Sequence, residues 1–143
     1  MLDTACQQLA NWAGQPDKAH LAISVNVSSR QFNQADFVDR VLEVLTRTGA
    51  PSRQLKLELT ESLLIANVED IIDKMSALKQ FGVNFSLDDF GTGYSSLLRL
   101  KRLPLYQLKI DQGFVRNILT DPDDAAIARM IIALADSLGL EVI

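Results

Sequence analysis

Five residues of this chain have types suited to catalysis at a bound cation: Asn26, Glu58, Asp88, Asp89 and Lys109. Carboxylate and amide oxygens are hard donors that suit Mg²⁺ or Mn²⁺. The pair Asp88-Asp89 runs directly into Phe90-Gly91-Thr92-Gly93-Tyr94-Ser95-Ser96, where Gly91 and Gly93 let the chain turn tightly. Adjacent carboxylates at a strand end diverge, the first pointing inward and the second turning with the loop. One can then bridge two cations while its neighbour binds the second alone. Two-metal sites hold their ions about 3.5–4 Å apart and clamp the attacking and leaving oxygens of phosphodiester cleavage. A lone acidic pair is most often a solvated turn or a helix cap; the strand end and the glycine loop raise it above that. In Glu58-Leu59-Thr60-Glu61, Glu58 suits a metal ligand, and Glu61, just past the strand, is assigned to capping or bonding a neighbouring loop. Lys109 has two readings of similar weight. It forms a salt bridge with the acidic cluster, or it polarises an attacking water or neutralises phosphate charge. Asp111, further along, begins a loop.

The elements that must position these residues alternate between helix and strand. Apolar spacing predicts a helix over 3–13 that buries Cys6, Leu9 and Trp12 and stops at Gly14, then a strand over 21–27. A helix over 36–48, with Phe37, Val41, Leu42 and Leu45 on one face, closes at Gly49 and Pro51. A strand over 55–60 leads to a helix capped by Asn67, with the stripe Val68, Ile71, Ile72, Met75 and Leu78, ending at Gly82. A strand over 83–89, a short helix over 95–101 and a strand over 106–111 follow. The next helix is capped by Asp121 with Pro122 at its first position, buries Ile127, Met130, Ile131 and Leu134, and ends at Gly139. Residues 141–143 begin another strand. A chain that opens on a helix and closes inside a strand reads as a piece of a larger βα array.

All four main strands alternate in the same way. Leu21, Ile23, Val25 and Val27 oppose Ala22, Ser24 and Asn26; Leu55, Leu57 and Leu59 oppose Lys56, Glu58 and Thr60. Val83, Phe85 and Leu87 oppose Asn84, Ser86 and Asp88; Tyr106, Leu108 and Ile110 oppose Gln107, Lys109 and Asp111. Helices between successive strands require parallel connections. Parallel strands in an open doubly wound sheet are apolar on both faces, which these are not. The expected fold class is therefore α/β, a partial TIM-type (β/α) barrel of about four to five consecutive parallel βα units. Its apolar face meets the helices and its polar face lines the interior. Asn26, Glu58, Asp88 and Lys109 then converge at the C-terminal ends of the strands, where barrel active sites lie. Acidic groups in such a place are costly to bury without a partner, and a cation is the natural one.

Bulk properties bound the function classes. Of the 143 residues 48% are apolar and 22% charged, with a formal net charge of −4 and a sequence pI near 4.9. An acidic chain without a basic face argues against DNA or RNA as partner. No apolar run approaches the roughly 20 residues of a membrane span, so no membrane contact is expected of this segment. The single cysteine, Cys6, excludes an internal disulfide and suits a reducing, cytoplasmic setting.

The order and spacing of five segments carry a resemblance. They are Val25-Asn26-Val27-Ser28, Glu58-Leu59-Thr60-Glu61, Asp88 through Ser96, Leu100-Lys101-Arg102-Leu103-Pro104 and Leu108-Lys109-Ile110-Asp111. Together they resemble the motifs of the EAL domain, over essentially the whole chain. The resemblance implies a barrel that cleaves cyclic di-GMP to linear pGpG with two Mg²⁺ or Mn²⁺ ions. It implies that Asn26, Glu58, Asp88 and Asp89 bind metal and that Lys109 assists the water nucleophile. Glu61, Phe90, Gly91, Thr92, Gly93, Ser95 and Ser96 would order the site and couple it to a homodimer in the complete protein, in which a fused sensor or GGDEF domain would have its place. The Glu-Ala-Leu segment that names the family is absent, and its Ala-Glu-Gly-Val-Glu segment would begin just after Ile143. On this reading residues 1–143 are an incomplete domain, inactive alone. A non-catalytic cyclic di-GMP receptor is the alternative, and the retained ligands weigh against it. A phospho-acceptor receiver domain also pairs acids with a lysine, but its acids follow the first strand of an open sheet.

Overall fold

The structure is a computed structural model that describes residues 2–60, 63, 68–90, 100 and 102–143, with the backbone alone for Val68 and Asp89. Its described elements are α1 (Leu2–Ala13), β1 (Ile23–Asn26), α2 (Ser29–Phe32), α3 (Phe37–Thr48), a 3₁₀ turn (Ser52–Gln54), β2 (Leu55–Thr60), α4 (Val68–Gln80), β3 (Asn84–Phe90), β4 (Gln107–Ile110), α5 (Gln112–Arg116), α6 (Pro122–Leu138) and β5 (Glu141–Val142). The five strands form one sheet in sequence order, every neighbouring pair parallel. This is the part-barrel that strand alternation requires.

The apolar side chains of that alternation form the core. Leu55, Leu57, Val83, Phe85, Leu87 and Leu108 are completely buried and Leu59 nearly so. Each fully buried side chain of this size contributes about 1.5–3 kcal/mol. Helix ends fall where the punctuation places them. Gly49 and Gly139 both adopt φ 72°, and their N–H groups bond back to Leu45 and Ala135 carbonyls. That left-handed geometry is costly for any residue with a Cβ. Asp121 caps α6 by accepting from the Asp123 N–H at 2.9 Å.

The structure corrects several details. β1 and β4 are shorter than expected, because Leu21 and Tyr106 lie before their strands and are 38% and 41% exposed. Tyr106 is therefore not a core residue. Interaction of its hydroxyl with the Glu141 carboxylate pushes the phenol above its ordinary pKa, and the Lys56 ammonium lies 5.5 Å from its ring centre. An aromatic ring with a polar tip is suited to that half-wet position. Asp111 begins a helix rather than a loop, capping α5 by accepting from the Gly113 N–H at 2.7 Å. Met130 is 71% exposed, whereas its neighbour Ile131 is 4% exposed. The buried stripe of α6 centres on Ala128, Ile131 and Ala135, and Met130 falls on the outer flank of Ile127. Of the helix expected over 95–101 only Leu100 is described, and it is helical and buried; the Asn67 cap lies outside the described residues.

Two measurements test this packing. Ile131→Ala is expected to cost about 2–5 kcal/mol in urea unfolding, and Met130→Ala no more than about 0.5 kcal/mol; equal costs would reverse the phase of α6. Cys6 is fully buried, and burial, reinforced by Asp3, pushes its thiol above the ordinary value. A thiol-specific disulfide reagent at neutral pH is expected to modify Cys6 only as fast as the protein unfolds.

Candidate functional site

The site grows from the polar face of the sheet. Register pairs Asn26 with Glu58, Glu58 with Ser86, and Ser86 with Gln107, so these four residues form one row across β1 to β4. Only the first member of the row is open: Asn26 is exposed, whereas Glu58 is 9%, Ser86 0% and Gln107 3% exposed. The strands thus enclose the polar face at β2 to β4 and leave it open at β1. Below the row the Lys56 ammonium donates to Gln107 Oε1 at 3.1 Å. Above it the Lys109 ammonium donates to Glu58 Oε1 and Oε2, both at 3.2 Å, and lies 3.9 Å from Asp88 Oδ1.

A break in the β3–β4 ladder makes this convergence possible. Leu87 pairs with Leu108 and Phe90 with Ile110, so Asp88 and Asp89 together stand opposite Lys109. Two residues against one is a β-bulge, a device that re-aims side chains beside active sites. Strict alternation would put position 89 on the Leu87 face and Phe90 on the polar face. Instead Phe90 returns to the helix side and is 7% exposed, as the last residue of β3 rather than part of the following loop.

Asn26, Glu58, Asp88 and Lys109 therefore lie on the polar face at or near the strands' C-terminal ends. Asp89 is placed by its backbone in the bulge. Glu61, Gly91, Thr92, Gly93, Ser95 and Ser96 lie outside the described residues. Two cavities open beside the cluster. One, of about 300 Å³, is lined by Val25, Asn26, Gln31, Gln34, Phe37 and Arg40 among others. The other, of about 410 Å³, is lined by Lys109, Ile110, Gln112, Val115, Arg116 and Ile143. Gln31 was not singled out from sequence, although Ser28-x-x-Gln31 spells a capping box. The structure forms it, with the Ser28 hydroxyl accepting from the Gln31 N–H at 3.1 Å and Gln31 Oε1 accepting from the Ser28 N–H at 3.1 Å.

The donor chemistry fits a hard divalent cation in part. Glu58 and Asp88 face one positive group, Asn26 adds an amide in the same row, and all are oxygen donors. Among the described residues the buried Ser86 hydroxyl has no hydrogen-bond partner, which leaves one oxygen of this row open to a water or an ion. Among the described residues, however, no group of three or more His, Cys, Asp or Glu side chains gathers closely enough to hold an ion alone.

Comparison with known proteins decides the family. The family model described as "EAL domain" matches residues 1–143. The chain belongs to the EAL domain family. The bifunctional diguanylate cyclase/cyclic di-GMP phosphodiesterase MucR of Pseudomonas aeruginosa is 43% identical over the whole chain, which spans 21% of that relative. A solved MucR phosphodiesterase in complex with cyclic di-GMP superposes with TM-score 0.91 at 44% identity, covering 99% of this chain and 57% of that one. Klebsiella pneumoniae BlrP1, solved with manganese and cyclic di-GMP, gives TM-score 0.80 at 25% identity, with 99% and 36% covered. This EAL chain thus spans about a fifth of its full-length MucR relative. No helix among the described residues is long and apolar enough to cross a membrane.

The Lys109–Glu58 pair has a consequence of its own. The Glu58 side chain is 10% exposed and that of Lys109 29%. Lys109→Met strands a mostly buried carboxylate, at an expected cost of about 1–3 kcal/mol. The double variant Lys109→Met/Glu58→Met removes both charges and is expected to be more stable than Lys109→Met alone. Thermal unfolding of the two variants checks the order.

Proposed function

We propose that this chain is the central part of a metal-dependent phosphodiesterase domain that opens cyclic di-GMP to linear pGpG. The observation that carries the reading is the convergence of Glu58 and Asp88 on Lys109 at the C-terminal ends of parallel strands, in a chain of the EAL family. MucR, NbdA and BlrP1 support it through the substrate their names and complexes carry. The activity belongs to the domain at the length of its solved relatives, with this chain an incomplete part of it.

In this reading Asn26, Glu58, Asp88 and Asp89 hold two divalent ions, Mg²⁺ or Mn²⁺. When bound, such ions supply Lewis acidity toward the phosphoryl oxygens and stabilise attacking and leaving oxygens together. The chain's own residues do the rest. Lys109 fixes the Glu58 carboxylate through both its oxygens and holds positive charge where phosphate charge accumulates. Its ammonium also orients the attacking water by hydrogen bonding. Water attacks phosphorus and gives up a proton, one P–O bond of the ring breaks, and the leaving alkoxide takes up a proton to become a hydroxyl of the linear product. Glu61, Phe90 and the residues from Gly91 to Ser96 order the site, and a homodimer with a fused regulatory domain fits the family's architecture.

The test is chromatographic detection of pGpG from the complete domain with Mn²⁺ or Mg²⁺ and with chelator. The expected result is cleavage that chelator abolishes, and a loss of at least about 10²-fold in Asp88→Asn, because a carboxylate aimed at the reacting centre is neutralised. The present chain alone is expected to give negligible product. A complete domain that binds the nucleotide yet yields no product with any divalent ion establishes a receptor instead.

A further inference from the structure

Among the described residues only two charged side chains are buried, Glu58 and Lys74. Glu58 belongs to the site. Lys74, on α4, has no part in the chemistry above, yet the fold accepts the cost of desolvating it. Its ammonium donates to the carbonyls of Phe32 at 2.8 Å and Gln34 at 3.1 Å. It pairs with Asp70 at 3.1 Å, one turn earlier on the same helix, and lies 5.7 Å from the centre of the Phe32 ring.

The two carbonyls belong to the turn that closes α2. That helix starts three residues after Asn26, with Ser28 as its cap. The chain leaving Asn26 is therefore held at successive points. The ladder continues one residue past it, the Val27 N–H donating to the Glu58 carbonyl at 2.9 Å. The chain then enters α2, whose start is fixed by the Ser28–Gln31 capping box and whose end is fixed by Lys74. Phe32 is completely buried, with its ring centre 5.0 Å from that of Phe37. Packing alone needs only an apolar side chain at position 74. An ammonium between two carbonyls adds direction, because hydrogen bonds fix the oxygens to which they point.

We infer that Lys74 is a positioning residue for the metal site: by pinning the end of α2 it holds the Asn26 amide in register with Glu58. This rests on the proposed function, in which Asn26 and Glu58 are metal ligands. Residues that orient ligands without touching the ion typically affect metal affinity 10–100-fold when removed.

The experiment titrates Mn²⁺ into the complete domain by electron paramagnetic resonance of the free ion, alongside amide hydrogen exchange over residues 27–36. Lys74→Met is expected to raise the Mn²⁺ dissociation constant about tenfold and to speed exchange in that segment. Saturating Mn²⁺ is expected to restore most of kcat. Lys74→Arg keeps donors for the carbonyls and is expected to recover affinity to within about threefold. Asp70→Asn alters an exposed partner and keeps the assay readable if Lys74→Met does not fold; it is expected to raise the constant about two- to fivefold. Faster exchange over 27–36 with Mn²⁺ affinity unchanged within twofold, in Lys74→Met or in Asp70→Asn, overturns the inference. Metal binding is read without turnover, so a domain that binds Mn²⁺ but leaves cyclic di-GMP intact defeats the proposed activity and not this role for Lys74.

Discussion

A carboxylate inside a curved sheet must have a positive partner, and the arrangement of β1 to β4 follows from that requirement. Glu58 sits at 9% exposure in the middle of the polar face. Left alone, a charge there costs several kcal/mol. Lys109, two strands away, meets both its oxygens, and this requires β2, β3 and β4 to lie side by side with their polar residues facing inward. The apolar residues between them then have only the helices to meet. The same alternation that buries Leu57, Phe85 and Leu108 therefore gathers the charges.

That alternation was legible in the sequence because a period of two leaves no freedom once one face is apolar. It identified the parallel order, the inward face, and Glu58, Asp88 and Lys109 as neighbours on that face, with Asn26 in register beside Glu58. Elsewhere the sequence was ambiguous for physical reasons. In α6 both Met130 and Ile131 fit an apolar stripe, and only packing against β4 and β5 decides between them. Tyr106 reads as a strand residue by type, but it lies just before β4 and keeps its ring half in solvent. Ladder ends depend on the neighbouring strand, so β1 and β4 lost residues at their margins.

Two features were spelled out but not read. Ser28-x-x-Gln31 is a capping box, and it produces α2, a single turn too short for periodicity to register. Leu87-Asp88-Asp89-Phe90 runs apolar, polar, polar, apolar, which breaks a period of two and marks the bulge. Lys74 had no such signal. A lysine in an amphipathic helix is ordinarily solvated, and its targets are backbone carbonyls 40 and 42 residues earlier in the chain.

The bulge also constrains how the chain can vary. It acts as a phase shifter: residues of β3 up to Leu87 keep one beat and Phe90 falls on the other. Deleting a single residue between them would restore an unbroken rhythm. It would keep Phe90 on the helix side, two positions after Leu87, and leave one acidic position opposite Lys109 where two now stand. The bulge is thus the device that admits a second acid without moving the hydrophobic anchor. Substitutions leave both acidic positions in place, whereas a one-residue deletion removes one of them. A deletion between Leu87 and Phe90 is accordingly expected to be purged more strongly than a single substitution there.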